Sequence, residues 1–375
     1  MISIIWQSFN TNIKIMKLFG LYPPEKPTRL FRIRSYLLYF VILIPVPALG
    51  ALYIFLEEDQ TRIGDNGFVV AETACVIIKL MPFVVNGSQM KRCIHYLEDS
   101  SFEVAPDNRK ILEKSIYICR RNSKVFIVSI VVGNISFNLK PFLGEGRILP
   151  VDVWFPCSPT ENTKIYCIIF LMLSLGIGYM SLSNAAIDPL IGGLCCLASG
   201  HLQVLKNNLQ NLHTKSAESS SDTMKRNIKK CVKYHSAILS FIKEYERCFS
   251  SIVFSQFLAS VVVVCFCCLQ LNKLPPMTIT FFNTVGYLIV FLAEIYFYCY
   301  YGTILYEESN SLSNAIYMGN WYDYDINSKK DLIFLMERSK RPISVTAGKI
   351  LDLSVDTFVM ILQRSYSLLA VLKNQ

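Results

Sequence analysis

At 375 residues, with 52% apolar and only 17% charged residues, the chain is too apolar for a soluble fold, and one membrane domain must account for most of its length. Its net charge of +9 is not a nucleic-acid signature, because the basic residues sit between apolar runs and never interleave with stacking aromatics in a groove-like pattern. Anionic lipid headgroups are the partner such basic segments fit.

The N-terminal stretch carries Ile2, Ile5, Phe9, Ile13, Met16 and Phe19 at helical spacing, beside Lys14 and Lys17. Such a stripe lies on the inner membrane surface or lines a bundle; it does not span. Pro23, Pro24 and Pro27 end it. The first twenty residues hold no apolar core followed by a small-residue cleavage site, so the first membrane helix is expected to target the chain.

Seven apolar runs follow, near 35–56, 67–89, 125–143, 165–200, 248–271, 277–303 and 350–372. Each approaches the ~20 residues that cross a hydrocarbon core. Lys and Arg are shared unevenly between the connecting segments. Segments 1–34, 90–124, 201–247 and 304–349 together hold 29, whereas 57–66, 140–164 and 272–276 hold 5. The positive-inside bias then places the N-terminus in the cytosol and, after seven crossings, the C-terminus outside. A G-protein-coupled receptor has the opposite orientation. The expected fold is an all-α membrane protein: a cytosolic or interfacial segment (1–34), helices 1–6 (35–303) with helical extensions over 201–247, a cytosolic anchor segment (304–349), and helix 7 (350–375).

Helix 1 contains Pro45 and Pro47, kinks that neighbouring helices must accommodate. Helix 2 places Glu72 and Lys79 seven residues apart on one face, either as a polar contact inside the bundle or as the wall of a solvated cavity. Helix 3 holds Gly133, Asn134, Ser136, Phe137 and Asn138, too polar a set for a lipid-facing surface. The loop 144–163, with Pro150, Trp154, Pro156 and Pro159, is expected to pack as a lid. Asp188–Pro189 reads as a break or kink in helix 4. Beyond the membrane, Leu202, Leu205, Leu209 and Leu212 continue that helix, and after a Ser-rich turn (Ser216–Ser221) Ile228, Cys231, His235, Ile238 and Ile242 resume a stripe into helix 5. Two paired cytosolic helices follow from this. Ser328 and Asp331 read as a capping box before Leu332, Leu335 and Met336, and Pro342 ends that helix.

Enzyme motifs such as HExxH, GxSxG and GxxxxGKS/T are missing, so no catalytic residue is expected. His95, His201, His213 and His235 read as surface or core histidines, and no CxxC pairs with His at zinc spacing, so neither metal nor cofactor is expected. Most of the 13 cysteines lie in or beside apolar runs, with Cys157 the lone one in an outer loop, which argues against an outer-loop disulfide. The sequons at Asn86 and Asn134 fall at an inner helix end and within a span, where glycosylation is not expected. No internal repeat favours a transporter.

The last span differs in character. It holds Asp352, Asp356, Thr357, Gln363, Arg364, Ser365 and Ser367, with one stripe of Asp356, Met360, Gln363 and Ser367 and an adjacent one of Thr357, Ile361, Ser365, Leu368 and Leu372. This fits a wet pore with a hydrophobic constriction, or interhelical hydrogen bonding in a packed bundle.

Here the chain resembles the insect odorant receptors. The likeness rests on Glu307–Glu308–Ser309, Ala315–Ile316–Tyr317, Trp321–Tyr322, Met336–Glu337–Arg338–Ser339, Arg341–Pro342, Ala347–Gly348–Lys349, and the closing Thr357–Phe358 with Ser365–Tyr366–Ser367. Leu149–Pro150–Val151 and Trp154–Phe155–Pro156 match the family's outer loop. The resemblance implies a subunit of an odorant-gated, nonselective cation channel in the plasma membrane of an olfactory neuron's dendrite. Four subunits would surround a pore lined by the last helix, with a small volatile odorant bound among helices 2, 3, 4 and 6 and a shared coreceptor as partner. The short segment between helices 4 and 5 implies a tuning subunit, not the coreceptor. The related gustatory receptors close with Gln-Phe, absent after Ser365–Tyr366.

A small volatile needs a mostly apolar cavity with a few polar or aromatic groups. The expected wall is Phe68, Glu72, Thr73 and Val76 on helix 2; Gly133, Asn134 and Phe137 on helix 3; Phe170, Leu173, Ile177 and Met180 on helix 4; and Thr284, Tyr287 and Leu288 on helix 6. Met180 and the aromatics point weakly to an aromatic or heterocyclic odorant. The family's constriction falls on Leu368 and Leu372, with Leu369 the alternative, and Gln363 and Ser367 lining the pore nearby. Rival readings are a gustatory-type channel, a G-protein-coupled receptor, which would carry its 29 basic residues outside, and a transporter.

Overall fold

The computed structural model describes residues 3–56, 60–143, 149–151, 153–156, 162–212 and 221–373. Expectations for Cys157, Pro159, His213 and the turn 216–220 lie outside these residues. Among the described residues, seven helical segments are long and apolar enough to cross a membrane.

Helix α1 (Ile4–Leu18) is capped by the Ser3 hydroxyl, which accepts the Trp6 N–H at 3.1 Å. Its apolar stripe is fully buried at Ile5, Phe9, Ile13 and Met16, and Asn12 donates to the Ala186 carbonyl at 2.9 Å. The stripe therefore lines the bundle. Gly193 makes that fit possible, since a Cβ there would come within 2.5 Å of the Phe9 ring.

The first span joins α2 (Arg29–Leu37), a π-helical turn over Leu38–Leu43, and α3 (Pro45–Leu56). Pro45 and Pro47 lack the N–H that would bond one turn back, and the wide turn absorbs the mismatch. The second span is α4 (Gln60–Val85), followed by α5 (Gly87–Ile94). The third is α6 (Arg109–Leu143).

Helices α7 (Thr163–Gln210) and α8 (Ser221–Lys273) are spans four and five, with 48 and 53 residues. At 1.5 Å per residue each reaches ~70–80 Å, far beyond a ~30 Å core. Their projecting ends pair as the stripes require: Leu202, Leu205, Leu209, Leu212, Ile228, Cys231, His235, Ile238 and Ile242 are all buried. Polar ties lock the same end. Lys206 meets Glu308 at 2.8 Å, Gln203 donates to Glu308 at 2.9 Å, and Asn108 donates to Asn208 at 2.7 Å. Pro189 sits inside an unbroken α7, so the sequence Asp188–Pro189 is not a helix break.

Span six is α9 (Ile279–Asn310), which leads through α10 (Leu312–Tyr317) to α11 (Ile326–Ser339). The cap of α11 corrects the sequence expectation. Asp325, not Ser328, is the N-cap, its carboxylate accepting the N–H groups of Asn327 and Ser328 at 3.1 and 3.3 Å. A carboxylate three residues upstream outcompetes the hydroxyl for the first free donors, and Ser328 turns into the packed face.

The apolar run 350–372 is also corrected. Its first residues form a hairpin, β1 (Thr346–Ala347) against β2 (Leu351–Asp352), before α12 (Val355–Lys373) begins. Gly348 and Lys349 have φ of 61° and 59°, and Ile350 donates to Ala347 at 3.1 Å, a tight turn within the three-residue connection between the paired Ala347 and Leu351. Gly348 also lies against Phe254, where a Cβ would approach the ring to 2.6 Å, and donates to the Ser250 carbonyl at 3.0 Å. The loop residues Leu149, Val151 and Val153 are buried in the core, and Trp154 donates to the Leu49 carbonyl at 3.2 Å, as a packed lid requires.

Candidate ligand cavity and terminal helix

Helices α4, α6, α7 and α9 surround a cavity of about 490 Å³. Eight of the expected residues line it: Phe68, Glu72, Gly133, Asn134, Phe137, Ile177, Met180 and Tyr287. Phe68 and Tyr287 bring their rings within 5.0 Å, and Phe291 stacks on Tyr287 at 6.1 Å. Asn134 donates to Ser181 at 2.6 Å, and Ser136 donates to Asn283 at 2.6 Å, so polar pairs tie α6 to α7 and α9 along the wall.

Six expected residues do not line it. Thr73 turns its hydroxyl back to the Val69 carbonyl of its own helix. Val76 is fully buried one turn beyond Glu72, toward Lys79. Phe170 stacks on Tyr166, and Leu173 is wholly within the core. Thr284 points toward Gln270 on α8 and bonds the Thr280 carbonyl at 2.9 Å, and Leu288 packs beside the core cluster. The stripe on α7 had the right period but an origin about two turns off: the wall runs Ile177, Met180, Ser181, Asn184. On α9 it runs deeper, through Phe282, Asn283, Gly286, Val290 and Phe291 to Glu294.

The deep end is built from charge. Lys79 donates to Asn184 at 2.7 Å, Asp188 at 2.9 Å and Glu294 at 3.1 Å, with no exposed side-chain surface. Asn184 donates in turn to Glu72 at 2.9 Å, and Tyr298 to Asp188 at 2.7 Å. Lys79 is the internal polar contact and Glu72 is part of the cavity wall. Asp188, Glu294 and Tyr298 escaped the sequence reading; an acidic residue in an apolar run was the available signal.

Helix α12 separates the proposed pore residues. Thr357, Ile361 and Ser365 are buried against the chain, whereas Asp356, Gln363 and Ser367 are exposed. From Gln363, the helical repeat rotates Ser367 by ~40°, Leu368 by ~140° and Leu372 by ~180°. The pairs Gln363–Ser367 and Leu368–Leu372 thus occupy different faces. Leu368 continues the packed stripe. The helix start is fixed by the Ser354 hydroxyl, which accepts the Thr357 N–H at 3.2 Å, and by Thr303, whose hydroxyl accepts the Val355 N–H at 3.0 Å. Phe358 meets Tyr296 edge-on at 5.6 Å.

A family model described as 7tm Odorant receptor matches residues 59–366, most of the chain. The chain belongs to the seven-transmembrane odorant receptor family. It is 25% identical to Odorant receptor Or1 of Anopheles gambiae, over 98% of this chain and 95% of that one. Odorant receptor 46a, isoform A, of Drosophila melanogaster is 23% identical over 82% of this chain and 81% of its own. The solved olfactory receptor OR5 of Machilis hrabei shares the fold, with a TM-score of 0.85 at 15% identity, covering 97% of this chain and 96% of that one. Its structure in complex with eugenol gives 0.86 at 14% identity, covering 98% and 97%. This odorant receptor's motifs now have structural reasons. Glu308 anchors Lys206 and Gln203, Ser309 accepts the Ile343 N–H at 2.9 Å, and Gly348 makes the hairpin turn.

Proposed function

We propose that this odorant receptor is the ligand-binding subunit of an odorant-gated, nonselective cation channel. It works in a tetramer with a shared coreceptor, in the plasma membrane of an olfactory neuron's dendrite. The observation that carries the reading is the connection between cavity and terminal helix through α9. Residues Phe282 to Glu294 of α9 form one wall of the cavity. Two residues on, Tyr296 touches Phe358 of α12, and Thr303 holds the first turn of α12. A ligand that prefers one arrangement of α9 therefore biases the position of α12 by its difference in affinity between the two arrangements.

The exposed polar face of Gln363 and Ser367 supports a wet surface for α12. The basic end, where α7, α8 and α11 pack together, faces the cytosol and anchors subunits to one another, as the 29-to-5 sharing of Lys and Arg supports. By analogy with the Machilis hrabei receptor in complex with eugenol, the ligand is a small organic molecule held in the cavity.

The test is a current recording from cells expressing this chain with and without a coreceptor. Rapid odorant-evoked cation current that needs both chains and survives G-protein blockade is expected. A current that follows a second messenger would overturn the channel reading.

A further inference from the structure

Five features of the cavity converge on one ligand chemistry. The first is charge. Lys79 is the one cation that the described residues place against the buried carboxylates of Asp188 and Glu294, the buried Glu72 carboxylate is reached only through Asn184, and no residue lining the cavity is basic. The second is an unused oxygen. Glu72 is 5% exposed and lines the cavity; Asn184 occupies its Oε1, while Oε2 has no hydrogen-bond partner among the described residues. A buried carboxylate oxygen without a donor is costly, and a ligand that brings an N–H removes that cost.

The third feature is the aromatic wall beside it. Phe68, one turn before Glu72, faces Tyr287 at 5.0 Å, and Tyr287 stacks on Phe291. Aromatic faces next to a carboxylate suit an organic ammonium, which gains both the ion pair and the ring quadrupole. The fourth is space: a Cβ built on Gly133 or on Gly286, both in the cavity wall, would meet nothing within 4 Å, which leaves room for an alkyl or aryl body. The fifth is that Glu294, the other carboxylate on the wall, is already committed to Lys79 at 3.1 Å, which leaves Glu72 to meet a ligand.

We propose that the cavity selects small volatile amines in their protonated form, with the Glu72 carboxylate as counter-ion and Phe68, Tyr287 and Phe291 as the surrounding rings. The proposal rests on the reading of this chamber as the odorant site. An aliphatic amine, like a lysine side chain with a pKa of ~10, carries its proton at neutral pH.

The experiment records odorant-evoked current from the full chain with its coreceptor, using 2-phenylethylamine, 2-phenylethanol and ethylbenzene, which share one aromatic body. The amine is expected to activate at a concentration roughly tenfold or more below either neutral compound, the range a charge-assisted hydrogen bond provides. Glu72→Gln keeps the oxygen that Asn184 uses, and it is expected to bring the amine-to-neutral ratio of half-maximal concentrations toward one. A native receptor that answers the neutral compounds as well as the amine would overturn the inference, as would an unchanged ratio in the variant. Silence to all three compounds, with current evoked by other odorants, would also overturn it and leave the channel reading standing. Silence to every odorant would bring down that reading itself.

Discussion

Replacing Lys79 by Met is the severest single perturbation the structure offers. The ammonium sits 2.9 Å from Asp188 and 3.1 Å from Glu294, with side-chain exposures of 0%, 2% and 4% for the three groups. Methionine fills a similar volume but supplies no charge, so two carboxylates are left buried without their cation. Breaking a buried pair from one side costs ~3–5 kcal/mol, or roughly two to three and a half orders of magnitude in the folding equilibrium. Thermal unfolding of the detergent-solubilised protein and surface labelling of tagged receptor both read this loss, and both are expected to fall sharply. The diagnostic arm is rescue. Adding Asp188→Asn and Glu294→Gln removes the stranded charges, and removing a buried ion pair whole costs far less than breaking it from one side. The triple variant is therefore expected to recover most of the lost thermal midpoint. A Lys79→Met protein as stable as the original, or a triple variant no better than the single, would refute the reasoning.

Three other expectations concern the ends of the molecule. At the hairpin, Gly348→Ala places a side chain at φ +61° against Phe254 and is expected to lower the thermal midpoint, whereas Lys349→Gly, at φ +59°, relieves ~1–2 kcal/mol of left-handed strain and is expected to raise it; the opposite order would count against the turn. On α12, Ser367→Cys is expected to react with a charged thiol reagent that alters the evoked current, while Ser365→Cys, buried and bonded to the Ile361 carbonyl, is expected to stay unmodified; equal reactivity would reject the assigned faces. Near the N-terminus, burial pushes the Glu98 carboxyl up, but hydrogen bonds from His95, Ser3 and the Ile5 N–H together hold it below its ordinary value. A depressed carboxylate contributes stability that is present above its unfolded pKa and lost as pH falls through the folded one. Acidification below the ordinary carboxylate range is thus expected to destabilise the solubilised receptor, and Glu98→Gln to flatten that dependence; identical slopes would sever the link.

The residues that could be read in advance are those whose signal is periodic. Leu202 through Leu212 and Ile228 through Ile242 announced paired helices because burial on one face repeats every three to four residues. Phe9 and Met16 did the same for α1. Phase was harder to obtain than period. Leu173 and Ile177 share one stripe on α7, yet Ile177 meets the cavity and Leu173 meets the core, because the depth of a void depends on how four helices cross. Composition masked the hairpin at 346–352, since Ile350 and Leu351 look like the first turn of the following span. Only Gly348 and Lys349, seen as adjacent positive-φ positions, reveal it. Asp188 was read through the proline beside it, although a carboxylate in an apolar run carries the stronger physical signal. Glu294 gave the same signal and was not used.

The claim on which the account depends is that ligand occupies the space between α4, α6, α7 and α9. A density map of the receptor assembled with its coreceptor and an activating odorant addresses it most directly. The account predicts density for one small molecule between Phe137 and Tyr287, within reach of Glu72. Clear ligand density at another place in the subunit, with this chamber unchanged, would contradict it.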